Sequence, residues 1–480
     1  MSVGFFPDAE GRTMAKRGTK LKEKLHSLKT TISALSLRRK FLWLFVSLSV
    51  VCVLLYLLYI YLIFAPGKDL YGPDFLSGSI FFQDVGDVFM DFFNINFMVS
   101  DNNPYFVEGD PGGGSSYPPL ILALAKVFSL IGGKAETARA LRATARGIFS
   151  LVLYFSIFFV GAWLVLRAYA KKVGFSLKET IWLYASLVLS APVLYLIDRG
   201  NYLTYTILFL GIFFLYEDSA SPVLREVSYL SLACAVGSKL YPVVFAFLLL
   251  REKRFLAFLR VSLYSLALCF LPFFFFEGGM KNVVWFAENL TRFSTEPYSF
   301  WSEGVRFSTG TSNDLAVDNL VRVFALLVSG CSFFDLPDWV LSVALGVRIA
   351  FAVLTVGSLF LATHKWQAVL GAALAVLLLP SPSYAYTAVI VLFPFVLFLA
   401  EDRRGRKNIV YFGLFLCELL TIDFGFLLPT WSHGLQHGYA TIDFLQGIAA
   451  CALALLTFCD GLHDRLYRKN HDKNHQASLS

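Results

Sequence analysis

Residues 41–64 read FLWLFVSLSVVCVLLYLLYIYLIF, twenty-four positions without a charge. A helix rising 1.5 Å per residue needs roughly 20 apolar residues to cross the hydrocarbon core of a bilayer. This stretch therefore predicts a first membrane-spanning helix. Working outward, comparable apolar segments recur at about 118–132, 147–168, 179–197, 201–216, 227–250, 255–276, 339–362, 366–380, 384–400, 408–428 and 440–459. Across the 480 residues, 57% are hydrophobic and only 16% charged, with a mean hydropathy of +0.63. Soluble domains carry about 25% charge, so an ordinary water-soluble enzyme is excluded. Ten-residue alternating segments of the transmembrane β-barrel type are not found. The expected fold is all-α: a polytopic membrane helical bundle of about twelve spans, with a long first outer loop that carries amphipathic interfacial helices.

Charge placement orients this bundle. Residues 1–40 form a basic arm with ten Lys/Arg and three acids, and no signal-peptide core precedes Lys40. The positive-inside rule puts this arm in the cytoplasm, with 41–460 as the integral domain and 461–480 as a cytoplasmic tail. A nucleic-acid-binding tail is the less favoured reading, and no nucleic-acid partner is expected. Residues 65–118 hold eight acids and one base, Lys68, which places this loop outside. The first extracytoplasmic region with its juxtamembrane helices is taken as 65–146.

Two segments allow different paths. In the preferred reading 118–132 packs on the outer side without crossing, and 227–250 is a hairpin of two short helices broken near Gly237-Ser238-Lys239 and Pro242. Alternatively 118–132 spans and 227–250 crosses once. Both paths leave both termini in the cytoplasm.

The sharpest candidate for chemistry is the run Phe81 to Asn94. At about 100° per residue, Asp84, Asp87, Asp91 and Asn94 share one stripe, and Phe82, Phe89, Phe93 and Phe97 lie opposite. A solvated face is the bland explanation. Carboxylates so spaced repel one another, however, and interfacial helices favour Lys/Arg on the polar face. An all-Asp stripe better suits a general base or a cation holder, so a divalent cation is a possible cofactor; no metal ligand set is assigned.

Four further features could face that loop. Tyr117 precedes Pro118-Pro119-Leu120, where two prolines can start a helix. Asp198-Arg199-Gly200-Asn201 forms a tight turn between apolar segments, which a self-paired Asp–Arg would also explain. Lys239, followed by Leu240, Tyr241 and Pro242, interrupts an apolar stretch, and a lysine at such depth marks a cavity unless it snorkels from a shallow tip. Pro380-Ser381-Pro382-Ser383-Tyr384-Ala385-Tyr386 makes another proline-broken turn.

Other signals are weak. His433 and His437, Asp423 and Asp443 read better as loop and packing residues than as ligands. Asn289-Leu290-Thr291 matches a glycosylation sequon. The seven cysteines form no CxxC pair, and no nucleotide-binding or serine-hydrolase motif is present.

The order of these features resembles the polyprenol-phosphate-mannose-dependent mannosyltransferases of glycosyltransferase family 87, in the C-type superfamily. The matching elements are Asp87 in an acidic outer loop, Tyr117-Pro118-Pro119-Leu120, Gly200-Asn201, Lys239-Leu240-Tyr241-Pro242 followed by Arg251, Lys253 and Arg254, and Pro380-Ser381-Pro382-Ser383-Tyr384. The likeness spans roughly 41–460. It implies an inverting membrane transferase of the cell envelope that moves a sugar, mannose by the likeness, from a polyprenyl-phosphate donor to a glycan or glycolipid acceptor outside. The catalytic carboxylate would be Asp87, Asp91 or Asp84. Lys239, Arg199, Asp198, Asn201, Tyr117 and Tyr241 would bind substrate or its phosphate. A lipid-sugar flippase, a secondary transporter and a glycan polymerase using Arg292, Arg306 and Arg322 are the competing classes.

Overall fold

The computed structural model describes residues 36–64, 88–100, 103–106, 114–295, 314–329, 337–402, 405–421 and 441–479. Among these the protein is all-helical, with one isolated bridge between Asp314 and Tyr384. The helices are α1 Leu37–Phe64, α2 Met90–Met98, α3 Pro119–Gly132, α4 Ala138–Arg142, α5 Ala145–Lys172, α6 Leu177–Val188, α7 Ala191–Arg199, α8 Leu203–Tyr216 and α9 Pro222–Ser238. There follow α10 Phe247–Arg251, α11 Phe255–Phe270, α12 Asn282–Thr295, α13 Val317–Ser329, α14 Asp338–Leu361, α15 Lys365–Leu378, α16 Leu392–Glu401, α17 Arg406–Leu419 and α18 Thr441–Leu479.

Among the described residues, five helices are long and apolar enough to cross a membrane: Leu37–Leu58, Ala145–Lys172, Phe255–Phe275, Asp338–Leu361 and Phe444–Tyr467. The pair α6 and α7, bent by 57°, makes a sixth if it is one span. Five shorter apolar helices or helix pairs accompany them, so length and composition alone fall short of the twelve spans expected. The outward surface is apolar, with Leu55, Leu164, Leu256 and Phe275 all exposed. Such a surface is compatible with a lipid solvent.

Polar contacts gather at two opposite ends. At one, Arg38 meets Asp402 and Val173, Arg39 meets Glu179, and Lys172 donates to the Leu215 carbonyl. Lys365 bridges Glu217 and Asp218, Arg254 donates to the Glu217 carbonyl, Arg251 donates to that of Ala362, and Lys407 pairs with Asp460. We call this the basic end. The other end carries α2, α3, the α7–α8 turn and the end of α9.

Both ambiguous segments run as short helical pieces. Ser150 and Arg146, at the start of α5, donate to carbonyls of Phe128 and Ile131 near the end of α3. Tyr105 donates to the Tyr117 carbonyl just before α3 begins. Thus α3 enters and leaves in the same half of the bundle, far from Lys172 at the other end of the 28-residue α5. The second segment folds back. Helix α9 stops at Ser238, a 3₁₀ turn runs Tyr241–Ala246, and α10 returns. Arg254 then reaches the Tyr229 hydroxyl halfway along α9 (2.6 Å), which fixes the hairpin. The same design recurs at α15, the Pro380–Tyr384 break, a 3₁₀ turn Ala385–Val391 and α16. His364 before α15 meets Glu401 at the end of α16 (3.2 Å), so this hairpin also closes. Two matching broken hairpins are therefore present, where the sequence reads as one hairpin and one turn.

The acidic-stripe helix is corrected. Asp84 and Asp87, with Phe82, lie outside the described residues. The described helix begins only at Met90, because Phe89 sits in the left-handed region (φ 62°) and its N–H is donated to the Asp198 carbonyl (2.6 Å). A residue in that region interrupts a right-handed helix, so a continuous helix over 81–94 is broken at Phe89. The aromatic side of α2 packs into the bundle. Met90, Phe92, Phe93, Ile95 and Asn96 are buried and Asn94 is exposed.

Candidate functional site

The site is built where α2 meets the end of α7. Helix α7 ends at Gly200 in the left-handed conformation (φ 63°), with the Gly200 and Asn201 N–H groups returned to Ile197 and Leu196. This is a glycine C-cap. A Cβ at Gly200 would stand 3.0 Å from that of Phe92 and 3.2 Å from Phe89 Cα. Glycine is needed here twice, for its φ and for the close approach of α2. The Asp198 carbonyl, otherwise one of the orphans at a helix C-terminus, accepts the Phe89 N–H. The backbone thus delivers Asp91, two residues further on, to the turn.

Arg199 lies 2.6 Å from Asp91 Oδ1, and Asn201 Nδ2 donates to Asp91 Oδ2 at 2.7 Å. Asn201 is fully buried, and its amide orientation follows from its partners. Its Oδ1 accepts the Leu203 N–H (2.9 Å), which leaves Nδ2 for Asp91 and for the Tyr117 hydroxyl (3.3 Å). The Asn201 carbonyl accepts from Tyr154, whose hydroxyl also meets Thr204 at 2.6 Å. Phe92, Tyr154 and Tyr202 pack behind this turn in a second, aromatic core cluster separate from the main bundle core.

Lys239, extended at the end of α9, sets its Nζ over the Tyr117 ring, 4.2 Å from the centroid. A cation over an aromatic face is held without being neutralised, so the ammonium charge stays available. Tyr241 and Tyr384, from the two helix breaks, lie within electrostatic reach of Tyr117, and Tyr386 is within reach of both Tyr117 and Asp91. Asp91 keeps 14% of its side chain exposed and Arg199 keeps 31%, so the pair borders solvent. Burial pushes the Asp91 carboxyl up to about 6, against the opposing pull of the Asn201 hydrogen bond and the Lys239 charge.

Of the nine candidates, Asp91, Arg199, Asn201, Tyr117 and Lys239 converge directly, and Tyr241 borders them. Asp198 contributes its backbone carbonyl at the foot of the site. Asp84 and Asp87 fall outside the described residues, as do Arg306, His433, His437, Asp423 and the side chain of Asp443. Arg322 is engaged by Asp318 (3.4 Å). Asn289 is buried and donates to the carbonyls of Tyr105 and Ser115, so the sequon serves as a loop clamp.

Asp314 has no counterpart in the sequence reading. It is buried, and its Oδ1 accepts the N–H groups of Ala316 (2.9 Å) and Ser383 (2.7 Å), tying the second helix break to the start of α13. One group of three carboxylates close enough to share an ion occurs among the described residues, Glu217, Asp218 and Glu252. It sits at the basic end, already engaged by Lys365 and Arg254. A polar cavity of about 140 Å³ also opens at that end, lined by the paired groups Lys407–Asp460 and His364–Glu401 and by Gln367. Neither includes a residue of the Asp91 cluster.

No protein-family model matches the chain, and no curated protein is similar to it in sequence.

Proposed function

We propose that the protein is an integral membrane glycosyltransferase of the C-type architecture that moves a sugar from a polyprenyl-phosphate donor to a glycan or glycolipid acceptor. The observation that carries this reading is one carboxylate, Asp91, bordering solvent between two cations, Arg199 and Lys239, with Tyr117 and Asn201 fixing the geometry. An acceptor hydroxyl is a poor nucleophile, and a carboxylate within hydrogen-bond reach takes its proton as it attacks the anomeric carbon. The bond from that carbon to the donor phosphate oxygen breaks, and the lipid phosphate leaves with added negative charge. Arg199 and Lys239 stabilise that charge. A single displacement inverts the anomeric centre. Asp91 serves as the base in this scheme; each of its oxygens keeps a lone pair beyond the bonds to Arg199 and Asn201.

The topology proposed with it has twelve crossings. Short helices join the long ones as spans: α6 with α7, α8, α9, the 3₁₀ turn with α10, α15, the second 3₁₀ turn with α16, and α17. Both termini then share the basic end. The positive-inside rule makes that end cytoplasmic and the Asp91 cluster extracytoplasmic.

The deciding experiment incubates membranes holding the protein with labelled polyprenyl-phosphate sugars and follows the label into acceptor. Transfer that disappears in Asp91→Asn at equal expression supports the reading. Undiminished transfer in that variant removes Asp91 as base, and no transfer by the parent with any such donor overturns the enzyme assignment.

A second reading is favoured by the two matching broken hairpins, since paired discontinuous helices at a polar site are a transporter device. A flippase or secondary transporter would move the labelled lipid sugar across proteoliposomes without covalent transfer.

A further inference from the structure

A groove of about 380 Å³ lies at the basic end between the start of α9 and the start of α11. It is lined by Arg225, Lys253, Arg254 and Arg260, with Glu226 as its acid. Glu226 is spent, since it pairs with Arg260 and accepts from the Tyr264 hydroxyl (3.2 Å). Arg254 is likewise engaged, with Glu252, the Glu217 carbonyl and the Tyr229 hydroxyl. Arg225 and Lys253 pair with no described side chain, and both are exposed. Lys253 also occupies the left-handed region (φ 60°) at the cap of α10, where glycine would sit without steric cost. The groove thus keeps two positive charges unspent. Its flanks are apolar: Val223 is 70% exposed, Phe255 64% and Leu256 73%.

We propose that this groove seats the phosphate of an anionic membrane phospholipid between Arg225 and Lys253, with its acyl chains along Val223, Phe255 and Leu256. Charge complementarity selects an anion, and the apolar flank selects one that carries a tail. Basic pockets between membrane helices bind lipid head groups by this combination. The site is separate from the Asp91 cluster and does not depend on the sugar-transfer reading.

Native mass spectrometry of the full chain in detergent tests it, with phosphatidylglycerol, phosphatidylcholine and glycerol phosphate added in turn. Phosphatidylglycerol should bind in preference to phosphatidylcholine. The exposed double variant Arg225→Gln/Lys253→Gln should weaken it by about 30-fold, from the usual contribution of a basic residue near an anionic lipid. Lys178→Gln, a basic residue at the same end outside the groove, should leave it unchanged. Equal affinity in the parent and the double variant overturns the site, as does equal binding of the two lipids. Glycerol phosphate binding as tightly as the lipid would overturn the tail contact and make the ligand a free phosphate. Elution of the double variant as the same monodisperse species verifies its fold.

Discussion

Arg199 stands 2.6 Å from Asp91 across 108 residues of sequence, joining α2 to the turn that ends α7. The pair is partly buried, and each member limits what the other can do. Removing the guanidinium leaves a carboxylate in a poorly solvated site, where it loses a charge-assisted hydrogen bond of about 1.5–3 kcal/mol. Arg199→Ala should therefore lower both thermal stability and sugar transfer. Arg199→Lys should recover stability better than transfer, because an ammonium keeps the charge but not the planar fork. Melting temperatures and initial rates of the two variants, measured side by side, check this; equal recovery of both would argue against a role for guanidinium geometry.

Among the described residues Asn201 is the one neutral hydrogen-bond partner of Asp91, and its orientation is locked by the Leu203 N–H. Asn201→Asp preserves shape and the bond from Leu203 but sets a second carboxylate 2.7 Å from the first. Like charges that close do not both ionise, so one proton is retained and the Asp91 base is compromised. Transfer should fall by roughly 100-fold or more, the scale of a lost general base. Asn201→Ala should fall less, since it removes a donor without adding repulsion. The reverse order in a rate assay would sink the proposed role of Asp91.

An acid limb of the proposed transfer reaction follows from the Asp91 environment. Burial raises its carboxyl to about 6. The base form is the deprotonated one, so the rate should fall as pH drops through about 6 and reach a plateau above it. Lys239 opposes the rise, because a nearby cation favours the carboxylate. Lys239→Met should accordingly move the acid limb to higher pH as well as lowering the plateau. A rate profile that drops in amplitude with no alkaline movement would show that Lys239 does not sense the ionisation of Asp91.

How much of this was legible in the sequence depends on the kind of signal. All-helical membrane character was legible, because twenty-odd uncharged residues have few solutions other than a buried or lipid-facing helix. Lys239 and Arg199 were legible for the same reason, as charges where apolar residues were due. The shortness of α3 was legible from an apolar run that ends at Gly132-Gly133. The start of α2 was not, because it depends on the Phe89 N–H finding the Asp198 carbonyl, a contact 109 residues away that periodicity does not encode. Asp314 was missed since one acid in a polar loop carries no pattern; its importance comes only from the Ser383 N–H brought against it. Tyr154 was hidden inside an apolar segment, where an aromatic residue reads as core until its hydroxyl is seen at the Asn201 carbonyl.

The basic end offers a stability test that leaves the proposed chemistry untouched. Glu217 is fully buried just past α8, and Lys365 Nζ lies 2.9 Å from its Oε1 while also pairing with Asp218. Lys365 reaches there from the first residue of α15, so the ion pair staples the first half of the bundle to the second. Replacing Lys365 by Met keeps the aliphatic stem but strands Glu217 as an uncompensated buried carboxyl. Breaking a buried pair from one side costs about 3–5 kcal/mol; the 32% exposure of Lys365 places the expected loss at the lower end. The double variant Lys365→Met/Glu217→Gln removes both charges and should regain most of that loss, because the penalty lies in the stranded charge rather than in the missing attraction. Thermal melts in detergent of the parent, the single and the double variants test this. A double variant no more stable than Lys365→Met would mean that the staple works through Asp218 instead.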